Sequence, residues 1–449
     1  MFRCVKYASA VLQRLVPAIA LTFGTSLRSI FSGIASSWVS GVRRWFTVEV
    51  RALSCICARL TIYIETGASM TGRLQHALVS ASLCCILALS LATPTLAQSV
   101  PGSKRDLDFD AHVKSVDLDD AKYRLEYKKP TPDGSSVGMF IGVGTGPTDR
   151  SFVPTNPSSI PEAEVVAYRL SRFLGISRLF YPVDYYQLGP KATAKFGTMV
   201  KSTPGTDKDG IYNTNLVLTE LKSNPNTIFG IYRLKPKSKM FTASALGSEG
   251  KFDQTTGIAQ EILASGRMPD ERKISLQGIK GGQPGFPEVP TEQRVELARQ
   301  LSTIFVMDML MGQWDRFWNN LEASGDKQGR LKLIARDNGG ASLNDWEGHD
   351  TYNKWVSRFD RDLIARLTAL NAFLKGDGKD FAGFSSVDAW KKAVGFIDPL
   401  SFEVFAKKLS TLIDKRLPSL VKAYGDKTFF PAKSAEIAKL DANDTGSDD

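Results

Sequence analysis

Two acidic turns carry the residue types in this chain that could do chemistry. Asp315 and Asp337 each follow an apolar run, the chain turns on Gly or Asn after each of them, and Asn320 comes five residues after the first. Phosphoryl transfer needs such a set, because one carboxylate orients an attacking hydroxyl while a second carboxylate and an amide hold a metal ion. The two turns therefore predict a phosphoryl-transfer site built from neighbouring element ends.

Each turn also has a plainer interpretation. Asp315 precedes an arginine and could form a surface ion pair at a helix end, since short motifs often arise by chance. Asp337 precedes Asn-Gly, which is a common hairpin turn. The same carboxylates would also serve a phosphodiester hydrolase with two metal-bound acidic residues. Few histidines are present for a hydrolase, because only His112 and His349 lie beyond residue 97.

A third carboxylate comes from the stretch 161–175, which is predicted to be a helix. Pro161 stands at its start and Gly175 at its end, as is typical of helices. Glu164 lies in the first turn and can project from the helix start. The apolar face of this helix would be formed by Val166, Leu170, Phe173 and Leu174.

Together these motifs resemble the catalytic core of the atypical kinases, and most closely the secretory-pathway kinases of the Golgi casein-kinase and four-jointed type. The phosphatidylinositol kinases and HipA-type kinases are less similar. In the secretory kinases a helical Asp precedes Asp-Arg-His by seven residues, as Asp308 precedes Asp315 here, and the metal strand ends in Asp-Asn-Gly, as at 337–339. Asn320 matches an Asn of the phosphatidylinositol kinases, while Phe317 stands where the families have His.

The predicted Glu164 helix carries a second part of the resemblance. Residues 164–175 are similar to the family pattern Glu-x-x-Ala-Tyr/Phe-x-Leu-x-x-x-Leu-Gly. In these families the Glu pairs with a lysine from a preceding strand, and the pair positions the nucleotide phosphates. Lys129, which is followed by Pro, resembles the end of that strand, and Lys128 is its neighbour. A different alignment places Val153 where the lysine belongs.

The resemblance spans about residues 122–425 and implies an α+β, two-lobed protein-kinase-like fold. A small β-rich N-lobe with one key helix would occupy about 121–205, and a larger, mostly helical C-lobe about 206–430. ATP would be the nucleotide and Mg²⁺ or Mn²⁺ the metal. The partners would be a nucleotide and a hydroxyl acceptor.

The resemblance also implies roles for individual residues. Asp315 would be the catalytic residue. The metal would be held by Asp337, Asn320 and Glu164. The nucleotide would be bound by Lys129 together with Glu164. Glycine spacing adds Gly142 and Gly144, whose backbone N–H groups could cover phosphates. The alternative for these glycines is an ordinary hairpin loop.

The start of the chain predicts export. The stretch 70–97 has the layout of a secretory signal. It starts at Met70 with one basic residue close behind, continues with a short apolar run, and ends in small residues up to Ala97. The apolar run is short for a transmembrane helix, which needs about 20 residues; an N-terminal membrane anchor is the alternative. Residues 1–69 are rich in Arg and Ser and poor in acid. They would be an upstream extension from a misplaced start codon or, alternatively, a transit peptide.

Composition beyond residue 97 excludes several classes of protein. The formal net charge of the whole chain is +10, but residues 1–97 hold nine Lys/Arg and two Asp/Glu, which leaves 48 basic and 45 acidic residues and a net charge of +3. This balance argues against a nucleic-acid partner. All five cysteines precede Ala97. The exported part would therefore lack disulfides and thiolate sites, which fits a bacterial periplasm or a secreted protein.

The rest of the pattern predicts one mixed domain between a linker at 98–120 and a disordered tail at 431–449. Strands are expected at about 122–130, 137–144, 183–188 and 196–200, the last resembling the segment that joins kinase lobes. Helices are expected at about 294–311, 358–374, 386–396 and 400–423. Residues 205–290 are rich in Gly, Lys and Pro and have no assignment.

The leading hypothesis is an exported, metal-dependent kinase that moves the γ-phosphate of ATP to a protein, sugar or lipid hydroxyl. The alternative is a catalytically silent pseudokinase or binding module, which Phe317 and the scarcity of ATP outside the cytoplasm favour. No membrane span is expected after signal cleavage. Neither the acceptor nor the oligomeric state follows from the sequence.

Overall fold

The computed structural model describes a set of segments that all belong to one compact unit, Ala97–Asp449. These segments are residues 100–130, 136–155, 160–234, 239–240, 261–265, 291–313, 316, 320–325, 331–343, 356–377 and 380–433. The predictions for the leader at 1–97 and for residues 434–449 of the tail lie outside them. The same holds for Asp315 and Phe317.

Five strands form an antiparallel sheet in the order β1-β2-β3-β5-β4. Their bounds are β1 Tyr123–Lys128, β2 Gly138–Val143, β3 Arg150–Pro154, β4 Val183–Leu188 and β5 Ile228–Leu234. In β1, Tyr123 and Leu125 are buried, whereas Arg124 is half-buried and Glu126 is exposed, because successive side chains of a strand point to opposite faces. The predicted strands β1, β2 and β4 are confirmed.

Helix α2, Pro161–Phe173, connects β3 to β4 and packs against β4 and β5. Pro161 occupies its first turn, and Gly175 follows its end with a φ of 65°, a left-handed conformation that Gly adopts without strain. Most of the helix is buried, including Glu164. The predicted helix is therefore confirmed, and its carboxylate lies inside the protein.

Residues 98–120 are not a loosely attached linker. Helix α1, Lys104–Ser115, begins with a capping box between Ser103 and Asp106. Asp106 is fully buried and accepts hydrogen bonds from Tyr168 (2.8 Å) and Ser177 (2.7 Å). The stretch looks like a linker because it is polar, but its polar groups are the anchors that hold it on α2.

The expected strand at 196–200 is wrong. This segment belongs to helix α3, Pro190–Ser202. Pro190 starts the helix, and Ala192, Phe196 and Val200 are buried at four-residue spacing on one face, which is the period of a helix. The unassigned stretch that follows contains helix α4, Lys208–Ser223, and strand β5.

The second half of the unit is mostly helical. Its helices are α5 Thr291–Met311, α6 Arg361–Leu374, α7 Val387–Val394, α8 Pro399–Ser410 and α9 Leu417–Tyr424, with a π-helical segment at Thr411–Arg416. A three-stranded antiparallel sheet consists of β6 Lys239–Met240, β7 Leu321–Gly325 and β8 Leu331–Ala335. The four predicted helices are confirmed, and the last of them contains the π segment.

Helix α5 forms the centre of this half, because every residue from 297 to 311 is buried. A helix that is buried all round needs partners for any charged group it carries. The sheet and the helical part together confirm the predicted α+β class. Within the described parts of residues 100–433, no helix combines the length and apolar character that crossing a bilayer requires.

Candidate functional site

Two of the predicted carboxylates converge although they are far apart in sequence. One nitrogen of Arg233, Nη1, lies 3.3 Å from Oε1 of Glu164 and 3.6 Å from Oδ1 of Asp337. The side chains of Glu164 and Arg233 are 3% and 13% exposed, while that of Asp337 is 31% exposed. The pair is thus buried on the Glu164 side and open to solvent on the Asp337 side.

Direct hydrogen bonds join the segments that carry this pair. The N–H of Ile160, which caps α2, donates to the carbonyl of Gly339 in the turn after β8 (3.1 Å). Asp337 itself has a φ of 51° and a ψ of 57°, a left-handed conformation that Asp tolerates better than most residues. Gln313 donates to the carbonyl of Asp337 (3.0 Å), so the backbone that presents this carboxylate is held in place.

The lysine beside the pair is Lys128. Burial, and then the nearby charge of Arg233, lower the pKa of Lys128 to about 8, while Asp337 acts in the opposite direction. Its ammonium donates to Ser136 (2.6 Å). Lys129, the predicted nucleotide-contacting lysine, is exposed, because adjacent residues at a strand end face opposite sides. The structure therefore brings Lys128, and not Lys129, to the two carboxylates.

The two carboxylates have opposite pKa shifts. Burial raises the pKa of Glu164 more than Arg233 lowers it, and the charge of Asp337 raises it further. Burial also acts to raise the pKa of Asp337, but Arg233, Lys128 and Arg336 outweigh it, and this pKa is lowered overall. Burial thus favours the neutral form of Glu164, whereas the surrounding cations favour the charged form of Asp337.

Strand β3, which precedes α2, supplies no lysine. Ser151 of β3 lies directly opposite Arg233 of β5 in the sheet register, is 4% exposed, and accepts a hydrogen bond from Arg233 Nε (3.1 Å). The cation next to Glu164 thus comes from the neighbouring strand. Sequence analysis missed Arg233, although a signal exists, because it is the one charged residue in the apolar strand β5.

A buried arginine links α5 to the turn that carries Asp337. Arg316 is fully buried and forms a bidentate pair with Asp308 of α5, with Nε 2.9 Å from Oδ2 and Nη2 2.7 Å from Oδ1. Nη2 also donates to Oδ1 of Asn338 (2.6 Å), and Nδ2 of Asn338 donates to Glu164 (3.4 Å). The chain of contacts runs from Asp308 through Arg316 and Asn338 to Glu164.

Asn320, the predicted amide ligand, lies at the same junction. It is 6% exposed, and its carbonyl accepts hydrogen bonds from Arg316 Nη1 (2.8 Å) and from the N–H of Arg336 (2.9 Å). Arg316 also donates to the carbonyl of Arg336 (2.6 Å). Arg316 and Asn320 of this motif thus both bind the backbone at the end of β8.

Gly142 and Gly144 do not belong to this cluster. The N–H of Gly144, which follows β2, donates to the carbonyl of Lys122, which precedes β1 (2.9 Å), so it is not free to bind phosphate. Gly142 pairs with Arg124, whereas Lys128 pairs with Gly138 at the other end of the two strands. Four residues of strand separate the two ends by about 13 Å. The hairpin-loop interpretation of these glycines is the one that the structure supports.

Glu164 and Asp337 fit a hard divalent cation in their chemistry. Mg²⁺ and Mn²⁺ prefer carboxylate oxygens, and the oxygens of this pair converge on a point where a cationic nitrogen of Arg233 lies. Among the described residues, no His, Cys, Asp or Glu joins the pair to make a set of three. The arrangement can therefore hold a cation between two carboxylates, next to the ammonium of Lys128.

No protein-family model matches the chain, and no curated protein matches its sequence. The chain is similar to a crystal structure of the Golgi casein kinase with Mn/ADP bound, with 12% identity, a TM-score of 0.43, and coverage of 71% of this chain and 78% of that one. A second Golgi casein kinase structure has 12% identity and a TM-score of 0.41, with coverage of 72% of this chain and 78% of that one. The structure of hydra Fam20 with sugar has 14% identity and a TM-score of 0.40, with coverage of 71% of this chain and 92% of that one. These names agree with the family that the motifs resemble.

Proposed function

We propose that the protein is a kinase-like phosphotransferase that moves the γ-phosphate of ATP to a hydroxyl acceptor. The observation that supports this proposal is the convergence of Glu164, Asp337 and Lys128 from three separate elements. Two carboxylates and an ammonium at one place are what phosphate positioning and charge neutralisation require. The acceptor would be a protein, a sugar or a lipid headgroup outside the cytoplasm.

Each residue of the site has a proposed role. Asp337 and Glu164, with Asn320, would hold Mg²⁺ or Mn²⁺, which would neutralise phosphate charge when bound. Lys128 replaces Lys129 as the proposed phosphate contact, because it lies beside the pair and its ammonium is partly withdrawn from solvent. Asp315 keeps its proposed role of orienting the acceptor hydroxyl, on the strength of its position in the sequence.

Phosphate transfer and nucleotide binding test the proposal directly. The purified protein is incubated with radiolabelled ATP and Mn²⁺, and its melting temperature is followed with and without both ligands. We expect ATP to raise the melting temperature of the wild type and of Lys129→Ala, and to have a much smaller effect on Lys128→Ala. If ATP does not change the melting temperature, with or without Mn²⁺, the kinase proposal is contradicted.

A silent pseudokinase or binding module is the second candidate. Two observations favour it: Arg233 contacts both of the carboxylates that would hold the metal, and Phe317 stands in place of the family's histidine. Comparison of the wild type with Asp315→Ala separates the candidates. A kinase loses phosphate transfer on this substitution, whereas a binding module shows no transfer in either protein and binds nucleotide equally well in both.

A further inference from the structure

We propose that Arg233 is a resident cation of the Glu164–Asp337 pair, and that a divalent metal ion enters only by displacing its guanidinium. The inference rests on the proposed function in one respect, since it takes these two carboxylates as the metal-holding pair. It adds a control on that site: the metal and one side chain of the protein compete for the same oxygens.

The geometry makes the two cations compete for the same carboxylate oxygens. A single nitrogen of Arg233 lies 3.3 Å from Glu164 and 3.6 Å from Asp337. A magnesium ion held by both carboxylates would need oxygens at about 2.0–2.1 Å, and calcium at about 2.3–2.6 Å. An ion bound to the same two oxygens would lie within a few ångströms of the guanidinium nitrogen, a distance at which two cations repel strongly in a partly buried site. Metal binding by both carboxylates therefore requires Arg233 to leave.

Arg233 is held in this position from behind. Its Nε donates to Ser151 of the adjacent strand at 3.1 Å, while Nη1 faces the carboxylates. The planar guanidinium uses separate nitrogens for the two contacts, which fixes its orientation as well as its position. Because the side chain is only 13% exposed, displacing it costs more than moving a surface arginine.

Local charge also opposes a metal while Arg233 is present. Lys128 and Arg336 both act on Asp337, and Arg336 is paired with Glu322 at 2.6 Å. A divalent ion would add two positive charges next to these groups, and like charges at such distances repel strongly in a partly buried site. The guanidinium would leave readily if it gained phosphate oxygens, which it binds in a bidentate manner. Free metal would thus be excluded until an anionic ligand arrives.

Manganese binding without nucleotide tests the competition. Free Mn²⁺ is measured by electron paramagnetic resonance while the purified protein is titrated with the metal alone. We expect Arg233→Gln to bind Mn²⁺ at least about tenfold more tightly than the wild type, because a charge in direct contact with the site is removed. Arg336→Gln is the matched control: it removes a nearby charge but leaves Arg233 in contact with both carboxylates, and it should change the affinity less than about threefold.

Three results would contradict the inference, and the third does not require Arg233→Gln to fold. Equal Mn²⁺ affinity in the wild type and Arg233→Gln contradicts the competition, and an equal gain in Arg336→Gln reduces it to a general field effect. If Arg233→Gln does not fold, Ser151→Ala replaces it, because this small change removes only the hydroxyl that holds Nε. We expect Ser151→Ala to tighten Mn²⁺ binding about two- to threefold, as the loss of one modest hydrogen bond allows; no tightening contradicts the proposal.

The test also separates this inference from the proposed function. The metal measurement uses neither nucleotide nor acceptor, so a protein that transfers no phosphate can still show Arg233 competing with Mn²⁺. Conversely, phosphate transfer by a wild type whose Mn²⁺ affinity does not respond to Arg233→Gln would support the kinase and contradict the competition.

Discussion

Lys128 is a chemically unusual lysine because the protein keeps it near both cations and anions. Burial and the charge of Arg233 favour its neutral form, and Asp337 favours the ammonium. The balance leaves its pKa at about 8, against 10.5 for an ordinary lysine. Near pH 8 about half of these side chains carry a free amine, whereas less than about 1% of ordinary lysines do.

Acylation should therefore select Lys128 over Lys129. Brief treatment with an acetylating reagent at a series of pH values, followed by mass spectrometry of the peptide that contains both, measures the two rates. We expect the Lys128 rate to rise through about pH 8 and to level off above it, because the amine is then already neutral. Lys129, the exposed neighbour on the same peptide, is the internal control. Parallel pH profiles for the two lysines would contradict the assignment.

The residues of the site differ in how far the sequence predicts them. Glu164 and Asp337 each belong to a local pattern, the first turn of a helix and the turn after a strand, and both predicted positions lie in the cluster. Arg233 depends on the register that sets it opposite Ser151, and no local pattern contains that pairing. The choice between Lys128 and its neighbour depends on which side of the strand end faces the helix.

Elements with strong periodicity are predictable, and those held by polar contacts are not. Helix α2 shows apolar spacing, a Pro start and a Gly end, so its sequence and its structure agree. Helix α1 has only two buried apolar side chains, Phe109 and Val113, and reads as a linker. Its stability comes from tertiary contacts of Asp106 with Tyr168 and of Asp110 with Arg172, and these partners lie outside the sequence of α1. The strand prediction within helix α3 is wrong for another reason: a window of five residues is too short to distinguish the period of a strand from that of a helix.

The anchoring of α1 leads to a prediction with a control on the same helix. Asp110 forms a bidentate pair with Arg172, whose side chain is 2% exposed. Asp110→Ala should destabilise the protein by about 2–4 kcal/mol, because it leaves a buried guanidinium without its carboxylate. Asp108 pairs with Lys104 on the surface, with both side chains more than half exposed, and Asp108→Ala should cost less than about 1 kcal/mol.

Urea denaturation followed by circular dichroism measures both variants. The comparison is internal, because the two substitutions remove the same charge from one helix at positions two residues apart. Similar midpoints for the two variants would show that α1 contributes little to stability, and the earlier expectation of a loosely attached segment would then regain support.

At the scale of the whole unit, α2 is the element that the sheet and the helical part share. One end presents Glu164 to Arg233 of β5 and to the turn after β8. The other end places Phe173 among aromatic residues of the helical part, with ring centroids 5.9 Å from Trp390 and 5.6 Å from Phe384. Because one helix contacts both the sheet and the helical part, the stability of the sheet should depend on packing in the helical part.

Phe173→Ala should therefore destabilise the two parts together. Phe173 is 5% exposed, and its truncation is expected to cost about 3–5 kcal/mol through lost contacts and a cavity. Hydrogen exchange read by mass spectrometry reports β5 and α6 separately in one experiment, and both segments should lose protection by the same free energy, as in a single cooperative transition. Phe229→Ala makes the same change at a 39% exposed position and should cost less than half as much. If α6 loses protection while β5 keeps it, α2 does not couple the two parts.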